Sequence, residues 1–151
     1  MSRFRFRLEP VLQMRQRAED QAQQALARAE RQLQEAERGL ACAEERLRAA
    51  YVGASEAERG GTDVVQLTWH RNWIVVKTRD VEACRLDVRD RVEARDLRVQ
   101  QAREARQQRR VLERFKDRAL RLFDSGQAQR EMQAIDELAT MKAARRAGDF
   151  Q

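Results

Sequence analysis

Leucine recurs every seventh residue at Leu26, Leu33, Leu40 and Leu47, and an alanine follows each by three positions, at Ala29, Ala36, Ala43 and Ala50. A seven-residue apolar repeat commits a chain to α-helix, because the 3.5-residue spacing keeps one stripe facing a neighbouring helix and no strand shares that period. The alanine series runs on to Ala22 and Ala57, so the second seam position is systematically small. Alternating large and small layers let two backbones approach closely, as in antiparallel helix pairs. No proline falls between Val11 and Glu58, and Gly39 inside that stretch costs about 1 kcal/mol against alanine without ending a helix.

The first helix is expected over about 10–59, with Pro10 in a first turn that tolerates its missing N–H. Gly60-Gly61 followed by Thr62-Asp63 then reads as one helix stopping and another being capped, which puts a turn at about 60–63. A second helix is expected over about 64–123, with apolar positions at Ile74, Val81, Val88, Val92, Val99, Ala102, Leu112, Phe115, Ala119 and Leu122. Its middle is crowded by Asp87, Asp90, Arg91, Arg95 and Arg98, so the alkyl stems of arginines are expected to cover the seam there. Asp124-Ser125-Gly126 reads as an interruption, after which a C-terminal helix over about 127–146, separate or bent, carries Met132, Ile135, Leu138 and Met141.

The fold class that follows is all-α: a long antiparallel two-helix coiled-coil hairpin with a short C-terminal helical extension, forming one domain over residues 1–151. Two seam-bearing helices satisfy each other within one chain, so it is expected to be monomeric on its own. Helices of roughly 50 residues make a rod about 75 Å long. Folding at residue 61 sets Phe4 to Arg17 alongside roughly Gln107 to Arg118. Composition supports a rod over a globule, since only eight aromatics are present while 37% of residues are charged. The apolar run Trp73-Ile74-Val75-Val76 is far short of the roughly 20 residues that cross a bilayer, and the first ten residues lack a signal peptide's apolar stretch, so a cytoplasmic location is expected. Cys42 and Cys84 are too few and too far apart in sequence for a disulfide framework or a zinc site.

Chemistry is concentrated in two places. Phe4, Phe6, Phe115 and Phe123 fall among Arg3, Arg5, Arg7, Arg110, Arg114 and Arg118, where ten Lys or Arg stand against four Asp or Glu between Arg95 and Arg121. Tyr51, Trp69 and Trp73 flank the turn, and three rings exceed what a two-helix seam buries, so at least one is expected to face solvent. Leu26, Leu33, Leu40, Leu47, Val81 and Val88 are assigned to the structural seam. A two-helix rod does not build the concave, water-excluding constellation that catalysis needs, so no enzymatic site, cofactor, metal or small-molecule substrate is expected, and lone His70 reads as a partly exposed polar residue. The net charge of +6 raises nucleic-acid binding as a rival class. Arginines alternating with acids, without a basic stripe or a recognisable DNA-binding motif, weigh against it.

The opening Phe4-Arg5-Phe6-Arg7-Leu8-Glu9-Pro10-Val11-Leu12, with Arg15 and Glu19, and the closing Glu131-Met132-Gln133-Ala134-Ile135-Asp136-Glu137-Leu138-Ala139, after Leu112-Glu113-Arg114-Phe115-Lys116, resemble the FliJ family of flagellar type III export proteins. The resemblance implies a non-enzymatic coiled-coil stalk that binds and stimulates a hexameric export ATPase, contacts the membrane export gate and helps handle export chaperones. It also implies peripheral association with the inner membrane. On this reading Arg3, Phe4, Arg5, Phe6, Arg110, Arg114, Phe115, Arg118 and Phe123 meet the ATPase ring, and Trp69, Trp73 and Ile74 meet the gate. The equivalent stalk of a virulence-type secretion system fits the same residues.

Because seam residues are satisfied inside one hairpin, light scattering with small-angle X-ray scattering is expected to return a monomeric, elongated particle. A compact or obligate-dimer profile contradicts this.

Overall fold

The computed structural model describes residues 3–148, with side chains as far as Arg146. It contains two helices, α1 (Glu9–Arg59) and α2 (Val64–Gly148), and no strand among the described residues. The two helices are in close contact as an all-α hairpin. Helix α1 begins where the Leu12 N–H donates to the Leu8 carbonyl at 2.8 Å, which leaves Pro10 in the first turn, where its missing N–H has no helical partner to lose.

The turn is a Schellman motif. Gly61 takes a positive φ of 70°, its N–H donates to the Glu58 carbonyl at 3.4 Å, and the Thr62 N–H donates to the Ala57 carbonyl at 3.3 Å. The Thr62 hydroxyl donates to the same Ala57 carbonyl, so the last carbonyls of α1 are satisfied before the chain reverses. Helix α2 then opens with the Leu67 N–H donating to the Asp63 carbonyl at 3.1 Å, which makes Asp63 the capping residue.

Two compact units divide the chain: one is Ala18–Ala105, the other joins the residues up to Arg17 with those from Arg106 onward. Within Ala18–Ala105 the helices run antiparallel, with Arg91 Nη1 donating to Gln32 Oε1 at 3.1 Å and Arg85 Nη2 lying 3.7 Å from Glu44 Oε1. The buried residues here are Ala29, Leu33, Ala43, Ala50, Val81 and Ala102, with Leu33 only 8% and Val81 only 2% exposed. Leu26, Leu40, Leu47 and Val88 are half-buried on the same heptad stripes. Four of the six buried residues are alanines, so close backbone approach rather than large side chains makes this contact.

In the other unit, Arg15 Nη1 donates to Gln108 Oε1 at 2.7 Å, Glu9 Oε2 accepts from Lys116 Nζ at 2.8 Å, and the Phe4 and Phe123 rings lie 5.5 Å apart. Leu12 is the buried residue of this unit. Phe4 therefore reaches Phe123, not the neighbourhood of Arg118. Residues 3–6 are non-helical, and extended chain advances about 3.3 Å per residue against 1.5 Å in a helix, so the arm runs further along α2 than a helical count allows.

Two further expectations are corrected. Leu122 is exposed, and the face turned inward uses Leu112, Lys116, Ala119 and Phe123. These continue the strict heptads of α2, in which Leu67, Ile74, Val81, Val88, Arg95, Ala102, Arg109, Lys116 and Phe123 follow one another at sevens and are all buried or half-buried. The interruption at Asp124-Ser125-Gly126 does not occur: α2 passes through it to Gly148 as one helix, and no separate C-terminal helix forms. A single helical glycine costs only about 1 kcal/mol, and the Ser125 hydroxyl is satisfied by donating to the Leu122 carbonyl at 3.0 Å. Every described side chain over 128–146 is exposed, including Met132, Ile135, Leu138 and Met141.

Leu33→Asp places a carboxylate in the buried layer and is expected to cost about 3 kcal/mol or more, read as a large fall in the thermal midpoint by circular dichroism. An unchanged midpoint contradicts the seam.

Candidate functional site

The fold offers surface, not cavity. Among the described residues no side chain is fully buried, no buried polar side-chain atom lacks a partner, and no group of three His, Cys, Asp or Glu converges on a possible metal position. Cys42 and Cys84 are both free thiols, the first exposed and the second half-buried. Candidate functional residues are therefore exposed aromatic and basic side chains, and they fall into one set in each unit.

The set belonging to the residues up to Arg17 and from Arg106 onward begins with the extended arm. Arg3 and Arg5 are exposed while Phe4 and Phe6 are half-buried, because alternate side chains of an extended segment point to opposite sides. Phe4 packs on Phe123 with the ring planes tilted by 58°, an arrangement that suits the aromatic quadrupole and pins the arm to α2. An open groove of about 830 Å³ lies beside the arm, lined by Phe4, Arg5, Phe6, Arg7, Glu9, Pro10, Gln13 and Lys116. A second depression of about 440 Å³ on α2 is lined by Val111, Arg114, Phe115, Asp117, Arg118 and Arg121. Phe115 stands 53% exposed between the arginines, and Arg110, Arg114 and Arg118 are all exposed. The surface thus combines an apolar ring with guanidinium groups, which suits a partner offering carboxylates and a shallow apolar contact.

In the Ala18–Ala105 unit, Trp69 and Trp73 are four residues apart on α2 and stack, with ring centroids 5.7 Å apart and planes only 9° from parallel. They are 58% and 40% exposed. His70 meets the edge of Trp69 at 5.1 Å and is half-buried, whereas Tyr51 on α1 is exposed. Ile74 is half-buried in the heptad series with Leu67 and Val81, so part of its surface belongs to the helix contact.

Sequence reasoning passed over two residues here. Lys77 holds its ammonium 4.2 Å from the Trp73 ring centroid and 3.3 Å from Asp80 Oδ2, with only 14% of its side chain exposed. The i,i+4 spacing from Trp73 was the available signal. Gly53, also overlooked, lies inside α1, and a Cβ built there meets nothing closer than His70 Cε1 at 3.9 Å. Val64, Val65, Val75 and Val76 add exposed apolar surface around this part of α2.

A family model described as flagellar FliJ protein matches residues 4–148 of the 151. The chain belongs to the FliJ family. The match takes in the Phe4 to Leu12 segment, the Trp69–Trp73 pair and the segment from Glu131 to Ala139 alike. Comparison with curated proteins gave no match, and comparison with solved structures gave none either. As a FliJ-family chain it is a component of the flagellar export apparatus, and the family is a non-catalytic one. No helix among the described residues is long and apolar enough to cross a membrane.

Proposed function

We propose that this chain is the stalk and adaptor of the flagellar type III export machine, binding and stimulating the hexameric export ATPase and linking it to the membrane export gate and to export chaperones. The observation that carries this reading is the surface on which exposed arginines surround exposed Phe115 in a chain of the FliJ family. On this reading Arg3, Phe4, Arg5, Phe6, Arg110, Arg114, Phe115, Arg118 and Phe123 engage the ATPase ring. Like charges gathered in one place repel one another and lower the stability of the chain that carries them, and an acidic partner surface offsets that repulsion.

A mixed arginine and aromatic surface also suits a shaft that seats in a ring of equivalent subunits without locking to one of them. Guanidinium contacts exchange between carboxylates on neighbouring subunits, whereas a broad apolar patch binds one position tightly. Trp69, Trp73 and Ile74 are assigned to the export gate. The exposed ring area of the two tryptophans is the kind of surface that dominates protein interfaces, and the bilayer is reached through that partner at the inner membrane.

Three exposed arginines decide the ATPase reading with little risk to the fold. Changing Arg110, Arg114 and Arg118 together to Glu is expected to cut stimulation of the partner ATPase at modest salt by tenfold or more, with the helix signal and thermal midpoint retained. Full stimulation by the folded variant contradicts the assignment.

A further inference from the structure

The groove beside the tryptophan pair says what kind of segment it accepts. It holds about 380 Å³ and lies between the two helices. Helix α1 gives it Ala49, Ala50 and Gly53 as a floor with almost no side chain, while Trp69 and Trp73 of α2 form one wall. The remaining lining residues are Arg46, His70 and Lys77, so no carboxylate lines it. Val65 and Val76 extend the exposed apolar line on α2, giving spacings of four, four and three from Val65 through Trp69 and Trp73. That is three helical turns along one face, about 16 Å.

We infer that this groove receives an amphipathic α-helix of the partner, its apolar face against Trp69 and Trp73 and a carboxylate on its flank meeting Arg46. The inference rests on the reading that these aromatics meet a protein partner, and it specifies that partner's segment. A helix fits because its own i,i+4 side chains advance about 6 Å, the same step that separates Trp69 from Trp73, so knobs and gaps stay in register along the groove. The shallow floor between two antiparallel helices is also where a third helix packs, and small floor residues let its backbone approach. Charge selects the sign of the flank: Arg46 is exposed and no acid lines the groove, whereas Lys77 is already paired with Asp80 at 3.3 Å. Gly53 is not needed by the hairpin itself: an added methyl has only ordinary contact with His70. A larger side chain there fills the groove, and the helix signal and thermal midpoint of Gly53→Leu report whether the fold is kept.

The probe is a fluorescent synthetic helical peptide with a leucine face and glutamate flanks, titrated against the full chain and read by anisotropy. Two controls keep the same leucines, one with lysine flanks and one with glutamate flanks and a central proline. The glutamate-flanked helix is expected to bind at least tenfold more tightly than either control. Gly53→Leu and Trp73→Ala each weaken it at least tenfold, and Arg46→Glu reverses the charge preference. Equal binding of the three peptides, or indifference to both Trp73→Ala and the charge reversal, overturns the inference. A parallel titration with the gate's cytoplasmic domain separates the two readings. If that domain loses affinity with Trp73→Ala while the peptides show no preference, the gate assignment stands and the helix groove falls. If the peptides discriminate while the domain ignores Trp73→Ala, the groove stands and the gate assignment falls.

Discussion

Close approach of α1 and α2 through layers of alanine is the contact on which everything else in this chain depends. Ala29, Ala43, Ala50 and Ala102 are buried together with Leu33 and Val81, and small residues of this kind let two helix backbones approach closely. A two-helix contact covers one stripe of each helix and leaves the rest in water. Hence the described chain has no fully buried side chain, and the helix surface is laced with ion pairs such as Arg48 with Glu45 and Arg91 with Asp87. Such pairs contribute only tenths of a kcal/mol each, so they tune solubility more than they hold the fold.

That geometry also dictates the kind of function available. With one stripe of each helix buried, the described residues offer mostly open helix surface. The chain has aromatic area to spare. Phe115, Trp69 and Trp73 are each exposed beyond what an inward-packing aromatic shows, and cationic side chains stand beside them. Exposed aromatic area beside cations is the kind of surface that protein interfaces use, and it is found here in a member of the FliJ family of export-apparatus components.

Much of this was legible in the residues themselves. The leucine and alanine heptads of α1 are unbroken apolar signals, and Gly60-Gly61 before Thr62-Asp63 announces the Schellman turn, because only glycine takes the left-handed conformation at that position without strain. Helix α2 was harder to read because Lys77, Arg91, Arg95, Arg109 and Lys116 occupy heptad positions that normally carry apolar residues. Their stems cover the contact while their charges reach Asp80, Gln32, Asp96, Glu113 and Glu9 in turn, so a polar letter in the sequence hides an inward position. The same masking shifted the reading to exposed Leu122. Gly126 misled for a different reason: a helix this long absorbs one glycine, and no following proline or capping pair enforces a stop. The Trp69–Trp73 stack and its lysine cap were absent from the sequence reading because ring geometry depends on rotamers that spacing alone does not fix.

The account stands on intrachain pairing in one register, and site-directed crosslinking measures that directly. In a background with Cys42→Ser and Cys84→Ser, Gln32→Cys is combined with Arg91→Cys, its hydrogen-bonded partner, or with Arg98→Cys, one heptad further along α2. A short-reach thiol crosslinker is predicted to join the first pair within a single chain and to leave the second largely unjoined. Crosslinked dimers from the first pair, or equal yields from both, would contradict the hairpin and the register from which both proposed binding surfaces are built.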